Sequence, residues 1–402
     1  MFFETVLSGV SREVFIRDTM GKRHQHYKDS HSLHQSVSVR DIDDLLTAWN
    51  GQLETFVLVS MNGNVVHFPR SESHQINQKS QIEQLYRQGA TLTIDGFHMR
   101  HPLFSQLCRD LEDQIGGSTT TKAFITPPGR PGYNVHFDAL DTFVLQLEGT
   151  KHWKVFPQFV SMPTATQARE LDDEETGEPL AEYLMQPGDL LYMPAGYPHC
   201  ARCTNEHSTH ITIGFAPWRV NHIAEFILST LLAPTSEAMR HHILAPEIDD
   251  KAEATLKVGL MNIASALERI DPKVALNTFQ SAARGIMPRI RDYGIKSASM
   301  QPLLTERSMF IFNAFSLHRL EVDPEAEIAY VRLGCSVPPR LDTLTLPPHI
   351  ELPAYAAPDL DWIFKSRVPF SASDVRGDLD LESRLVLINE LITHGVVNVV
   401  AA

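Results

Sequence analysis

The sequence GYNVHFDALDTFVLQLEGTKHWKVF at residues 132–156 decides the fold, and LYMPAGYPHCAR at residues 191–202 completes it. Both stretches consist of short apolar segments, and the turn sequence Pro187-Gly-Asp189 precedes the second one. Short strands that are separated by turn residues are typical of an all-β barrel. The sequence therefore predicts a barrel that begins near Lys122 and continues to about Pro217.

Two histidines and one aspartate in these stretches form a candidate metal site. His136 and Asp138 are two residues apart on a predicted strand, so their side chains point to the same face. His199 follows the predicted strand Leu190-Leu-Tyr-Met193. Two imidazoles and one carboxylate, without a thiolate, are the ligands of a facial triad, which leaves positions open on Fe(II) for a co-substrate and O2. An H-x-D pair alone is a weak signal, and the second histidine strengthens it.

Lys151 is the third feature of this region, and it lies across a predicted hairpin from His136. It alternates with Trp153 and Val155, which predicts that all three side chains face the barrel interior. An inward cation can bind the far carboxylate of a diacid whose other end chelates the metal. The alternative is an ordinary surface lysine of a hairpin.

Together these motifs resemble the JmjC/cupin 2-oxoglutarate- and Fe(II)-dependent oxygenases, and most of all their ribosomal-oxygenase branch. The match extends over residues 125–214 and rests on six motifs. They are Ile125-Thr-Pro-Pro-Gly129, His136-Phe-Asp138, Phe143-Val-Leu-Gln-Leu-Glu-Gly149, Lys151-His-Trp153, Pro187-Gly-Asp189 and His207-Ser-Thr-His-Ile-Thr-Ile-Gly214. The resemblance implies that 2-oxoglutarate chelates the iron, that O2 takes the remaining position, and that oxidation to succinate and CO2 accompanies hydroxylation of a C–H bond. It also implies that Lys151 binds the distal carboxylate, with Thr126 as a hydroxyl partner.

The function that we expect is a 2-oxoglutarate-dependent dioxygenase that hydroxylates a side chain, with His or Arg favoured, of a ribosomal protein or of a ribosomally synthesised peptide. An N-methyl demethylase and a small-molecule hydroxylase share the same iron chemistry. A different class of protein, a non-catalytic metal-binding cupin that acts as a partner-binding module, also stays open.

Residues around the predicted metal site bear on substrate choice. Arg130, Tyr133 and His210 are candidate substrate contacts. Lys122 and Phe124 stand where members of the branch often have Asn and Tyr, so a hydroxyl is lost and a cation is gained beside the pocket.

Composition limits the remaining possibilities. The four cysteines show no disulfide framework and no apolar run is long enough to span a membrane, so we expect a cytoplasmic protein. Cys200 and Cys203 are expected on opposite sides of a strand, which disfavours a redox or zinc pair. The net charge of −14 disfavours direct nucleic-acid binding and suits a basic partner. The acidic stretch 170–175 is predicted to be a solvated loop, or else an attractant for a cationic substrate.

The predicted architecture is α+β and has three parts. Residues 1–217 form an N-terminal JmjC/cupin oxygenase domain, a double-stranded β-helix with flanking helices. Residues 218–300 form a helical dimerisation region, and residues 301–402 form a winged-helix-like domain that is read as a structural or protein-contact module because it is not basic. Residues 1–35, with four histidines, are predicted to be a solvated and partly mobile lead-in, and residues 337–358 a proline-rich link.

Overall fold

The computed structural model describes residues 2–50, 52–66, 78–233, 236–240, 242–243, 251–286, 304–313, 318–323, 325–333, 349–366 and 368–401. The chain divides into two compact units, Met1–Pro217 and Trp218–Ala402. Helices and antiparallel sheets occur in both, which confirms the α+β class. The finer division into three domains stays a prediction.

The first unit contains a barrel of two sheets with helices around it. Its helices are α1 (Phe2–Val6), α2 (Arg12–Asp18), α3 (Val39–Ala48), α4 (Gln78–Arg87), α5 (Pro102–Ile115) and α6 (Asp173–Thr176). Its strands are β1 (Gln25–Tyr27), β2 (Val57–Met61), β3 (Asn64–Val66), β4 (Thr91–Asp95), β5 (Gly117–Thr126), β6 (His136–Phe137), β7 (Asp141–Glu148), β8 (Lys151–Val155), β9 (Arg169–Glu170), β10 (Ala181–Met185), β11 (Leu190–Met193), β12 (His199–Cys203) and β13 (Ser208–Pro217).

The two sheets share the barrel strands between them. The larger sheet has the order β1-β11-β7-β13-β5-β4-β2-β3, and the smaller sheet has the order β10-β8-β12-β6-β9. From β5 to β8, and again from β11 to β13, successive strands alternate between the sheets, as in a double-stranded β-helix. Burial follows the two-residue period: Lys151, Trp153 and Val155 of β8 are buried, whereas His152 and Lys154 are partly exposed. The predicted barrel is confirmed.

The N-terminal segment corrects one expectation. Residues 1–35 are not a solvated lead-in, because Phe2 and Phe15 are fully buried and β1 pairs with β11. The ring of Phe15 lies 4.9 Å from that of Tyr192 and 5.6 Å from that of Phe143, so the segment covers the larger sheet. The prediction weighed the polar residues and missed the apolar face of two short helices.

The N-terminal histidines hold the turn that precedes β11. His26 Nε2–H donates to the Asp189 carboxylate over 3.0 Å, and His31 Nε2–H donates to the Asp189 carbonyl over 3.2 Å. Burial lowers the pKa of His31 to about 4, so its ring is neutral at neutral pH. These contacts give the histidines a structural role.

The second unit has helices α7 (Val220–Phe226, followed by a π-helical turn at Ile227–Leu232), α8 (Ala252–Leu267), α9 (Pro272–Ile286), α10 (Ala357–Lys365) and α11 (Leu381–Thr393). Its strands are β14 (Met309–Phe312), β15 (His318–Asp323), β16 (Ile328–Leu333), β17 (His349–Pro353) and β18 (Val397–Ala401). β14 pairs with β18, and β15, β16 and β17 form a three-stranded sheet. An ion pair joins the buried Asp359 to the partly buried Arg384 over 2.9 Å.

The predicted proline-rich link is wrong for its last part. Residues 349–353 form β17, and α10 begins at Ala357 with Pro358 in its first turn. Proline is compatible with a strand end and with the first turn of a helix, which explains the error. The rest of that stretch, to residue 348, lies outside the described residues. None of the described helices combines the length and apolar character that crossing a membrane requires.

Candidate metal centre and its cavity

Three side chains converge where β6 and β12 pair. His199 begins β12 and stands opposite His136 of β6. The candidate ligand atoms of His136, Asp138 and His199 lie within 4.8 Å of one another, and Asp138 Oδ2 is 3.8 Å from His199 Nε2. In the described part of the chain no other three His, Cys, Asp or Glu residues come together in this way. Two imidazoles and a carboxylate suit Fe(II) with positions left open.

Backbone carbonyls orient both imidazoles. His136 Nδ1–H donates to the Asn134 carbonyl over 2.7 Å, and His199 Nδ1–H donates to the Tyr197 carbonyl over 3.0 Å. These bonds place the proton on Nδ1 and leave Nε2 of each ring free to ligate. Burial, aided by the neighbouring His136, lowers the pKa of His199 to about 4 against the opposing effect of Asp138. His199 is thus neutral at neutral pH, as metal ligation requires.

Lys151 is a buried cation without a counter-charge. Its side chain is 1% exposed, and Nζ donates to Thr126 Oγ1 over 3.0 Å. Burial lowers the pKa of Lys151 to about 8, so the ammonium still predominates at neutral pH. Among the described residues no carboxylate forms a salt bridge with it. A buried charge of this kind is costly unless it is paired, so the site fits an anionic ligand.

A cavity of about 420 Å³ connects Lys151 with the three converging side chains. Its wall is aromatic: the rings of Phe124 and His210 stack at 4.7 Å with an interplanar angle of 5°, and Trp153 meets His210 edge-on at 5.4 Å. Burial, with a smaller contribution from Lys151, holds the pKa of His210 well below its ordinary value. His210 Nδ1 is buried without a hydrogen-bond partner in the described part of the chain. Such an atom in a cavity wall is available to a ligand.

The predicted substrate contacts separate into two groups. Tyr133 and His210 line the cavity, and Tyr133 shares a 2.9 Å hydrogen bond with the hydroxyl of Thr93. Arg130 is not among the lining residues, because its guanidinium lies against Gly89. A substrate role for Arg130 therefore stays a prediction, without support from its position.

Some lining residues were not anticipated. Leu58 and Val65, from β2 and β3, are exposed at 40% and 48% and form an apolar part of the rim. Arg169 and Glu170 belong to β9, where Glu170 stands opposite His136. A two-residue strand leaves no periodic pattern in the sequence, so only the acidic composition of the stretch pointed to it. The predicted loop at residues 170–175 is wrong in part, because β9 ends at Glu170 and α6 begins at Asp173. The acidic stretch begins at the cavity itself.

Comparison with known proteins identifies the class of fold. Residues 97–223 match the family model of the JmjC domain, a region that includes the three converging side chains and Lys151. The chain therefore contains a JmjC domain, and the resemblance that the motifs indicated is confirmed.

Individual relatives make the likeness more specific. Ribosomal oxygenase 1 of Rattus norvegicus is 27% identical over 257 residues, which are 60% of this chain and 41% of the relative. The bifunctional lysine-specific demethylase and histidyl-hydroxylase NO66 of Caenorhabditis briggsae is 29% identical over 168 residues, 40% of this chain and 20% of the relative. The chain thus spans less than half the length of these curated relatives.

A solved structure extends the likeness to nearly the whole chain. The ribosomal oxygenase YcfD from Escherichia coli, in complex with cobalt and 2-oxoglutarate, superposes with a TM-score of 0.53 at 16% identity. The superposition covers 98% of this chain and 99% of that one. At this identity the likeness establishes a shared fold.

Proposed function

We propose that this protein is a 2-oxoglutarate- and Fe(II)-dependent dioxygenase that hydroxylates a His or Arg side chain of a protein or peptide. The observation that carries the proposal is the presence, in one cavity, of a facial set of ligands and a buried lysine that forms no salt bridge with any described carboxylate. A diacid that chelates a metal with one end needs both features at once.

The protein's contribution to the metal site is geometry and protonation. His136, Asp138 and His199 hold Fe(II), and the carbonyls of Asn134 and Tyr197 fix both rings with Nε2 available. When bound, Fe(II) with 2-oxoglutarate and O2 supplies the oxidising power that hydroxylates an unactivated C–H bond, with succinate and CO2 as co-products.

Lys151 and Thr126 provide the second anchor for the co-substrate. Their 3.0 Å contact holds an ammonium and a hydroxyl side by side in a fully buried position. A carboxylate placed there gains charge-assisted hydrogen bonds and neutralises the lysine. Phe124 and Trp153 line the same cavity and limit the access of water to it.

The names of the relatives guide the choice of substrate. Ribosomal oxygenases and a histidyl-hydroxylase support a side chain of a ribosomal protein, or of a ribosomally synthesised peptide, as the target. The net charge of −14 is compatible with a basic partner. Tyr133 and His210 are the lining residues that we assign to substrate contact.

Two further parts of the proposal concern the second unit. Residues 218–300 act as a dimerisation region, which is supported by exposed apolar side chains such as Val258 and Met261 of α8. Residues 301–402 act as a winged-helix-like protein-contact module, in which α11 is followed by β18. We also place the protein in the cytoplasm, which is supported by a sequence whose four cysteines show no disulfide framework.

A second candidate function is N-methyl demethylation, since the Caenorhabditis relative is named both a demethylase and a hydroxylase. Hydroxylation of an N-methyl group releases formaldehyde, whereas hydroxylation of a ring or chain carbon leaves one added oxygen on the substrate. A small-molecule hydroxylase would modify a free amino acid instead. The buried Lys151 disfavours a non-catalytic cupin, which has no need of a buried cation.

The test is succinate formation by anaerobically purified protein that is supplied with Fe(II), 2-oxoglutarate and O2. It is run with and without ribosomal-protein and small-peptide fractions, and His136→Ala serves as the control. We expect turnover that one fraction stimulates, a product heavier by one oxygen atom, and no turnover in the control. Absence of both 2-oxoglutarate binding and turnover at every iron level would favour the non-catalytic module.

A further inference from the structure

The cavity has a second cationic position, at its rim and on the larger sheet. Lys122 of β5 is exposed, lines the cavity, and stands opposite Thr212 of β13, which lines it as well. Residues directly opposite in antiparallel strands have neighbouring Cβ atoms on one face, so the ammonium and the hydroxyl can reach one ligand. We call this pair, Lys122 and Thr212, the rim site.

In the part of the chain that the structure describes, both members of the rim site keep their polar groups unpaired. Within the described residues, Lys122 forms no ion pair, and the Thr212 hydroxyl forms no hydrogen bond. Asp95 stands opposite Lys122 on the other neighbouring strand, but it does not line the cavity and no ion pair joins the two. Two other charged residues of the lining already have polar partners: Arg169 pairs with Glu175 at 2.6 Å, and Glu170 accepts a hydrogen bond from Asn134.

Like Lys151 and Thr126 deep in the cavity, the rim site combines an ammonium with a hydroxyl. It is too far from that pair to bind the same ligand. Thr126, Phe124 and Lys122 follow one another along one face of β5, with Thr126 at the deep end beside Lys151. Four residues of strand separate Lys122 from Thr126 by roughly 13 Å. A five-carbon diacid held at Lys151 and at the metal ligands does not extend to Lys122. The rim site therefore faces the second reactant.

The sum of the charges in the cavity also assigns the rim site to the second reactant. The ammonium of Lys151, the Asp138 carboxylate and a divalent metal ion together balance the two negative charges of 2-oxoglutarate. The deep part of the cavity is then neutral, and Arg169 and Glu170, which also line the cavity, carry opposite charges. Asp95 stands opposite Lys122 without forming an ion pair with it, so the charge of Lys122 is available to a different anion. From this juxtaposition we propose that the rim site binds a carboxylate of the substrate, so that the hydroxylated side chain has an acidic group close to it in a protein or peptide.

This inference rests on the proposed oxygenase function. It places a carboxylate close to the hydroxylated side chain, even in a substrate whose net charge is positive. The carboxylate comes either from an Asp or Glu side chain or from a chain terminus. An exposed ion pair of this kind is expected to give about a fivefold preference.

The experiment uses the whole protein with a chymotryptic peptide library that retains internal Lys and Glu residues. Peptides that gain one oxygen atom with Fe(II), 2-oxoglutarate and O2 are identified by mass spectrometry, and the residues beside the modified position are compared with the library average. We expect wild-type products to be enriched about fivefold in acidic neighbours. Lys122→Glu is expected to reverse the preference towards Lys and Arg neighbours, and Lys122→Arg to keep it.

Lys154→Glu is the matched control, because Lys154 lies on the partly exposed face of β8 and pairs with Glu182. It is expected to give the wild-type preference. Synthetic copies of the best peptides, as free acids and as C-terminal amides, distinguish a side-chain carboxylate from a terminal one.

Three results would overturn the inference. One is a neighbour composition equal to the library average, and another is the same preference in wild type and Lys122→Glu. The third is a wild-type protein that converts 2-oxoglutarate to succinate but modifies no peptide. A wild-type protein that neither binds nor converts 2-oxoglutarate contradicts the proposed function itself, which separates the two failures.

Discussion

Lys151 is the residue on which the electrostatics of the cavity depend. It is fully buried, its hydrogen-bond partner among the described residues is the Thr126 hydroxyl at 3.0 Å, and a bound carboxylate would supply its counter-charge. We expect Lys151→Met to weaken 2-oxoglutarate binding by about 10²–10⁴-fold, since loss of one partner of a buried ion pair costs about 3–5 kcal/mol. Calorimetry with Mn(II) under anaerobic conditions measures this affinity.

Lys151→Met is expected to weaken co-substrate binding without destabilising the free protein. Without a co-substrate, Lys151→Met removes a desolvated charge, and we expect the free energy of unfolding at neutral pH to rise or to stay unchanged. Lys154→Met, on the partly exposed face of β8, is the control and should leave 2-oxoglutarate binding as in the wild type. Equal affinities for wild type and Lys151→Met would contradict the assignment of Lys151.

The titration of Lys151 gives a pH prediction at the same scale. Burial lowers the pKa of Lys151 from 10.5 to about 8, so the ammonium that binds the carboxylate is lost as the pH rises through about 8. We expect 2-oxoglutarate affinity to be constant below that pH and to fall by about tenfold per pH unit above it. Lys151→Arg stays protonated and should lose this decline. A wild-type affinity that is flat from about pH 7 to about pH 9.5 would contradict the prediction.

Stability has its own pH dependence from the same group. Between about 8 and 10.5 the unfolded chain binds the Lys151 proton and the folded chain does not, so the free energy of unfolding contributed by Lys151 rises with pH across that window. Below about 8 the cost of burying the ammonium is fully present. An alkaline pH thus removes the destabilisation that the buried Lys151 ammonium causes in the free protein. The same loss of charge weakens co-substrate binding.

At the scale of elements, the barrel strands were predictable and the N-terminal helices were not. β11 is an apolar segment that follows a turn, and β8 shows the two-residue alternation that predicts Lys151, Trp153 and Val155 on the inner face. α1 has five residues, which is too short for a 3.6-residue period to be recognised. Its two phenylalanines become core residues because Phe2 packs against Phe143 of the larger sheet and Phe3 packs against Phe15 of α2.

In the candidate site, too, some side-chain positions follow from local sequence patterns and others depend on tertiary structure. His136, Asp138 and His199 come together as expected because strand periodicity and the pairing of β6 with β12 place them. The positions of Arg130 and Glu170 depend on a loop path and on a two-residue strand. Neither leaves a periodic signal, so sequence patterns alone could not place these two side chains.

The N-terminal segment provides a prediction at this scale. Phe15 of α2 is fully buried among Phe3, Phe143 and Tyr192. We expect Phe15→Ala to lower the free energy of unfolding by about 3–5 kcal/mol, which combines lost burial with a cavity. Urea denaturation followed by fluorescence measures the change.

Its neighbour on the same helix supplies the comparison. Ile16 is 40% exposed, so Ile16→Ala should change the free energy of unfolding by less than about 1 kcal/mol. If the two alanine variants were equally stable, α2 would be a peripheral addition to the barrel and the corrected role of residues 1–35 would fail.

At the scale of the whole molecule, the second unit presents apolar surface that its own fold does not cover. On α8, Leu256 is 49% exposed, Val258 58%, Leu260 56% and Met261 64%. Exposed apolar side chains grouped on one helix are typical of an association surface, whereas single ones are ordinary. If residues 218–300 form the proposed dimerisation region, α8 is the element whose polarity controls assembly.

We therefore expect the double variant Val258→Glu, Met261→Glu to shift the protein from dimer to monomer, because two charges would have to be desolvated in the interface. Light scattering coupled to size-exclusion chromatography measures the mass, and 2-oxoglutarate binding reports whether the barrel is intact. Val14→Glu, at a 40% exposed valine on α2 of the first unit, controls for the loss of an isolated apolar side chain and should stay dimeric. A wild-type protein that is monomeric at every concentration, or a double variant that remains dimeric, would remove α8 from the assembly surface and leave the oxygenase assignment unaffected.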